Sequence, residues 1–470
     1  MNLLSPTPQA TADAAPREAA PKLWQVGTLV YTRAGLTVLF AWLLWGDFAW
    51  SIRDRVLLPV LQLILKKYEV YDFIAGLLIG TLPAILGVLV GPVVSFKSDR
   101  HRSSRGRRIP YLLASAPAAG LAIIGLGFSP VLGRWLHQGL GTSSPGLNAS
   151  VVVVLAFWWM IYDVASTVTN CIFGALINDV VPSSVVGRFY GYFRAVSLVV
   201  GIIFTTWFLA KAEDHFLGLF LFAGIVFGVG VVFMCLKVKE GDYPPLVHAQ
   251  GKRGLAGVIQ SIKVFFKQGF SIPYYVWFFL ASTLGLLAFI PFNLYTVFYA
   301  KSLGLSMSTY GMYMAVSYGF SLCLTFFLGP LADRFHPLRL SLVTLALYGA
   351  TTLWAFFYVS AASFGVIMMI LSVLAGAYYT GAASLYQRIL PSSIFAELGS
   401  AGGIIGTVLN VSAPLIIGSL LDRSGHNYRL TFIMGFVVTL MAIGCMSMVY
   451  WHWKKYGGPQ NYKAPLWEAE

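Results

Sequence analysis

Twelve apolar runs, each long enough to cross a bilayer, set the narrowest bound on what this chain can fold into. A helical span needs about 20 mostly apolar residues, because every backbone N–H and C=O inside hydrocarbon must be satisfied within the segment. The runs lie at 35–65, 72–96, 109–132, 150–178, 186–210 and 216–237, then at 272–299, 308–330, 339–360, 363–386, 396–420 and 429–452. They are too long, and alternate too little, for the strands of a membrane barrel. With 57% hydrophobic and 11% charged residues, a soluble fold could not hide this much apolar surface, whereas lipid accepts it. The expected fold class is an all-α polytopic membrane protein with twelve transmembrane helices in two six-helix, pseudo-symmetric bundles.

The net charge of +14 sits in short loops between the runs. That is the pattern of topology determinants and not of a nucleic-acid surface. With both ends placed inside, 22 Lys and Arg fall in inner segments and 7 in outer ones. This asymmetry predicts a multi-pass protein of the cell membrane with cytoplasmic termini. Residues 1–22 lack an apolar core and read as a disordered cytoplasmic tail, not a signal peptide. The expected division is then a first bundle at 23–237, a cytoplasmic linker at 238–271, a second bundle at 272–452 and a tail at 453–470. Within the linker, 254–270 alternates apolar and basic positions at helical spacing and predicts a helix on the membrane surface. Cys171, Cys235, Cys323 and Cys445 lie apart inside apolar runs, as buried thiols do. The histidines, His215 and His426 included, fall at span ends, in loops or in tails, without metal-ligand spacing. No metal and no cofactor is expected, and the lipid-embedded chain is expected to be a monomer.

The sharpest motif is GPVVSFKSDRHRSSRGRR at 91–108, which returns in shorter form as GPLADRFHPLR at 329–339. Asp99 and Asp333 stand 234 residues apart, about half the chain, as in a duplicated membrane protein. Ser95-x-x-x-Asp99-Arg100 followed by Arg107-Arg108 resembles the loop motif of the major facilitator superfamily, with Ser95 where that loop usually carries Gly. GPVVSFKSDR-x7-RIPY resembles the matching stretch of plant sucrose transporters and their relatives. YDVASTVTNCIFGALINDVVP, with Asp163 and Asp179, resembles the same group, and GALINDVVPSSVVGR also resembles the glycoside–pentoside–hexuronide cation symporters. The resemblance implies a secondary active transporter and not an enzyme, carrying a sugar or glycoside by alternating access in symport with a cation. Sodium-coupled melibiose permeases carry acids within the second span; here that span has none beyond Asp72, which favours H⁺ over Na⁺. Three other readings stay open: an anionic glycoside or other small organic solute held by Arg55 and Arg194, an exporter, and a non-transporting nutrient sensor. No G-x-x-x-x-G-K-[ST] loop is present to use ATP.

Ionisable side chains inside a span cost several kcal/mol and point to function. Asp47, Ser51 and Asp54 share one face of the first helix at i, i+4 and i+7, with Arg55 on its flank and Arg53 pointing away. Asp163, Ser166, Thr167 and Asn170 form a polar stripe on the fourth helix. Arg194 and Ser197 follow on the fifth. In the fold the resemblance implies, these faces converge on a cavity. Asp163 is expected as the proton carrier with Arg194 as its partner, and a static buried ion pair is the competing reading. Asp47 and Asn170 are expected to bind substrate hydroxyls. Trp50 and Tyr162 accompany the first-half stripes, while Asn293, Tyr378 and Gln387 are expected to line the cavity from the second half, with aromatic rings stacking on sugar faces. Asp99, Arg100, Arg108, Asp179, Arg188, Asp333 and Arg334 lie at cytoplasmic helix ends, either as a gate or, for the arginines, as plain topology anchors.

Overall fold

The computed structural model describes residues 23–182, 185–242, 270–382, 385–391 and 395–465. The expected tail at 1–22 and surface helix at 254–270 lie outside the described residues, apart from Phe270. A two-stranded antiparallel hairpin, β1 (Trp24–Val26) and β2 (Leu29–Tyr31), precedes the helices and turns at Gly27 with φ +54°. Thr32 caps the first helix, its hydroxyl accepting from the Gly35 N–H at 3.2 Å.

The first half holds α1 (Arg33–Lys67), α2 (Asp72–Arg100), α3 (Ile109–Leu140), α4 (Leu147–Val180), α5 (from Val186, helical through Ile203) and α6 (Phe216–Lys237). The second holds α7 (Pro273–Ser302, interrupted near Ala288), α8 (Met307–Phe335), α9 (Pro337–Tyr358), α10 (Phe364–Ala382), α11 (Phe395–Arg423) and α12 (Leu430–Lys455). Each coincides with one of the twelve apolar runs. At 35 residues α1 is about 52 Å long, well beyond the hydrocarbon thickness, so it tilts or protrudes. Large side chains left exposed on the outer faces are apolar, Leu121, Phe157, Phe222 and Phe357 among them. That surface suits lipid.

Small residues set the helix spacing. A Cβ on Gly120 would sit 2.6 Å from the Gly224 carbonyl oxygen, so α3 and α6 touch backbone to backbone only because both positions are glycine. Two helices carry a wide π-type turn that periodicity does not reveal, Leu77–Thr81 in α2 and Phe204–Phe208 after α5. The first lies just before Pro83, which has no N–H to continue the regular ladder.

Twelve successive helices bring the first and last described residues to one face, called here the terminal face. The opposite, distal face is where the halves meet most closely: α2 packs on α11, and α5 on α8. Between the halves lies a cavity of about 800 Å³.

Candidate functional site

Inside the first half the organising side chain is Arg53, 2% exposed. Its Nε and Nη2 donate to Asp54 Oδ1 at 3.0 and 2.6 Å, Nη1 donates to Ser166 Oγ at 3.1 Å, and Nη2 also reaches Asn170 Oδ1 at 3.4 Å. The guanidinium also lies 4.2 Å from the Trp50 ring centroid and 4.7 Å from that of Phe227, an arrangement only a flat cation permits. Arg53, expected to point away from the Asp47–Asp54 stripe, instead pairs with Asp54 of that stripe. The long arginine stem carries the charge across to the α4 polar stripe.

Two carboxylates lie in this interior. Asp47 is 1% exposed and neither of its oxygens has a hydrogen-bond partner; Asp163 is 7% exposed and its Oδ2 has none. Arg194, the partner expected from sequence for Asp163, lines the central cavity next to Arg55, and the arginine that reaches the α4 stripe carrying Asp163 is Arg53 of α1. Trp50 stacks on Phe173 at 5.2 Å, and the Tyr162 hydroxyl lies 3.5 Å from Ser166 Oγ. Both belong to the packed interior of the first half.

The cavity draws its wall from both halves: Asp54, Arg55, Gln62, Tyr190 and Arg194 on one side, Asn293, Thr296, Tyr310, Tyr318 and Tyr379 on the other. Arg55 donates to Ser197 Oγ at 3.1 Å and stacks 4.4 Å from the Tyr318 ring. Of the residues expected to touch substrate, Arg194 and Asn293 reach this wall. Tyr378 is buried among Phe289 and Gly285, and its neighbour Tyr379 faces the cavity instead. The Gln387 side chain is outside the described residues.

The distal face is closed by a cluster that sequence spacing gave no sign of. Asp422, near the end of α11, accepts from the backbone N–H groups of Asp72 and Phe73 at 2.8 and 2.9 Å, capping α2 from the opposite half. Asp72, 1% exposed, lies 2.7 Å from His426 Nδ1 and accepts from the Tyr428 hydroxyl at 3.0 Å. The Tyr295 hydroxyl donates to the Asp72 carbonyl at 2.8 Å, Thr81 to the Val411 carbonyl at 2.8 Å, and Gln62 to that of Leu294 at 2.9 Å. Glu213 and Lys301 add an ion pair between the halves.

On the terminal face the basic motif folds back on its own half. Arg108 pairs with Asp99 at 2.5 Å and with Asp179 at 3.1 Å, and Arg107 with Asp179 at 2.7 Å. Glu240, just past α6, accepts from the N–H groups of Arg107, Arg108 and Ile109 at 2.9, 2.8 and 2.7 Å. Arg100 lies over the Phe96 ring at 3.4 Å. Glu240 escaped sequence reasoning, because a single acid beyond a span carries no local signal. The side chains of Arg188, Asp333 and Arg334 lie outside the described residues.

Residues 47–417 match the family model of the Major Facilitator Superfamily. Sucrose transport protein SUT2 of Oryza sativa subsp. indica is 27% identical over 163 residues, 33% of this chain and 31% of that protein. Sucrose transport protein SUC4 of Arabidopsis thaliana is 30% identical over 160 residues, 33% of this chain and 30% of that protein. The chain thus spans about a third of the length of the curated relatives it matches. Among solved structures, an inward-facing bacterial homologue of the iron transporter ferroportin aligns with TM-score 0.63 at 19% identity, over 88% of this chain and 99% of that one. A D-xylose-proton symporter aligns with TM-score 0.57 at 15% identity, over 86% and 96%. At these identities the likeness is one of fold.

Proposed function

The chain belongs to the major facilitator superfamily, and on that premise we propose that it is a secondary transporter moving a sugar or glycoside together with a proton. The observation that carries this reading is the cavity of about 800 Å³ between the halves, walled by amides, hydroxyls and tyrosine rings and closed on the distal side. Its size falls within the ~300–1,000 Å³ of small-molecule sites, and its wall offers what a polyhydroxylated ring binds. The local likeness to two sucrose transport proteins supports the same substrate class.

In this reading the terminal face, rich in Lys and Arg, is cytoplasmic in the cell membrane. The distal clasp then closes the outer side, and the arrangement is the inward-facing one. Asp163 carries the proton. It is buried on the α4 polar stripe that Arg53 of α1 engages through Ser166 and Asn170, so a movement of α1 against α4 changes the charge it faces. Asp54, on the same guanidinium, also faces the cavity, so substrate contact and proton occupancy share one side chain. Asp99, Arg108 and Asp179 brace the terminal face of the first half. Arg55 and Arg194 on the cavity wall favour a second cargo, a glycoside bearing a carboxylate.

Uptake of labelled neutral glycosides and uronides into vesicles, with and without an imposed pH gradient, tests both readings. Accumulation driven by inward-directed protons is expected; uptake that follows sodium and ignores pH overturns proton coupling. Asp163→Asn is expected to retain counterflow exchange while losing uphill accumulation. Unimpaired accumulation removes Asp163 from the coupling role.

A further inference from the structure

We propose that Asp72, Asp422 and His426 form a divalent-cation site that locks the two halves together at the distal face. One carboxylate oxygen from each acid and one imidazole nitrogen lie within 4.8 Å of one another. The distance from His426 Nδ1 is 2.7 Å to Asp72 and 3.8 Å to Asp422. Two carboxylates and one imidazole are a donor set that suits Zn²⁺ and its first-row neighbours, with further positions left for water.

The acids are held in place before any ion arrives. The Tyr428 hydroxyl donates to Asp72, and the first two N–H groups of α2 fix Asp422. Such outer hydrogen bonds orient ligand oxygens in metal sites. His426 adopts φ +61° directly after Gly425 at φ +67°. This turn ends α11 and swings the ring back over Asp422, four residues earlier. Entry is open, since the His426 side chain is 45% exposed while Asp72, at 1%, forms the floor. Two carboxylates and one imidazole converging on one point offer a divalent ion both opposite charge and donor atoms.

Asp72 belongs to the first half and the other two ligands to the second, so the complete site exists only while the distal face is closed. Binding therefore shifts the population toward that state. With affinity for the closed form alone, the closed-to-open ratio rises about a hundredfold at a free ion concentration about 100 times Kd.

The test uses the full-length protein in lipid nanodiscs, with spin labels on the two halves at the distal face, and Zn²⁺ as the probe. Added Zn²⁺ at about pH 7.5 is expected to narrow the distance distribution to the closed state and to raise the unfolding temperature. His426→Ala abolishes both responses, and His426→Cys, which restores a ligand, recovers them; this recovery separates lost ligation from misfolding. A wild-type protein indifferent to Zn²⁺, or a His426→Ala protein that responds in full, overturns the site.

Discussion

Arg53 concentrates three functions in one side chain: it neutralises Asp54, satisfies Ser166 and Asn170, and stacks between Trp50 and Phe227. Removing it leaves polar groups of α4 without a donor and opens a gap between two aromatic rings. Arg53→Ala is expected to lower stability by about 2–4 kcal/mol, read as the thermal unfolding midpoint in detergent. The lower end of that range is favoured because Asp54 is 53% exposed and stays hydrated when its partner is gone. Arg53→Lys recovers only part of the loss, since one ammonium cannot span three acceptors and lie flat on Trp50. The residue types at the centre were legible in the sequence, because acids and arginines within apolar runs declare themselves. The pairing was not. Helical spacing gives the direction in which a side chain leaves its helix, but a four-atom stem can carry the charge to a different face.

Two helix ends carry predictions of their own. The α3 N-terminus is capped by Glu240, whose carboxylate takes three N–H groups at once. Glu240→Ala is expected to cost about 1–2 kcal/mol and to loosen the hold of Arg107 and Arg108 on Asp179, seen as faster amide exchange over residues 101–109. At the α8–α9 junction His336 accepts from the Leu338 N–H at 3.3 Å and packs against Trp453. Burial, then the charges of Arg388 and Arg339, hold its pKa down from 6.5 to about 4. The unfolded chain therefore binds the extra proton, and the stability present above pH 6.5 declines as pH falls toward 4. Between pH 7 and about 5 the unfolding temperature is expected to drop, and His336→Gln to flatten that slope. Most spans were readable to within a few residues from hydropathy alone, as α6 shows by matching 216–237 at both ends, although α3 runs on from the expected 132 to Leu140. The wide turns in α2 and after α5 were not, because they change the hydrogen-bond ladder without changing the apolar pattern.

Across the whole molecule, the distal closure depends on backbone meeting backbone. A Cβ on Gly418 would lie 2.6 Å from the Asp72 carbonyl oxygen and 2.7 Å from Phe73 Cα. Gly418→Val is expected to hold α11 off α2 and to favour the distal-open arrangement, measured as a longer distance between spin labels on the two halves. The twofold architecture was legible because the loop motif repeats, and so was the polar interior of the first half. The clasp was hidden: Asp72 and His426 are 354 residues apart, and no local pattern encodes that pairing. The N-terminal hairpin has a consequence at this scale as well. Thr28 accepts from the Asp242 N–H at 2.8 Å, so the strand pair before α1 is stitched to the segment leaving α6. The two ends of the described first half are thereby tied to each other directly. Co-expression of residues 1–245 and 246–470 as separate chains is expected to restore transport, and Thr28→Val, which removes the stitch, to impair the split protein more than the intact one.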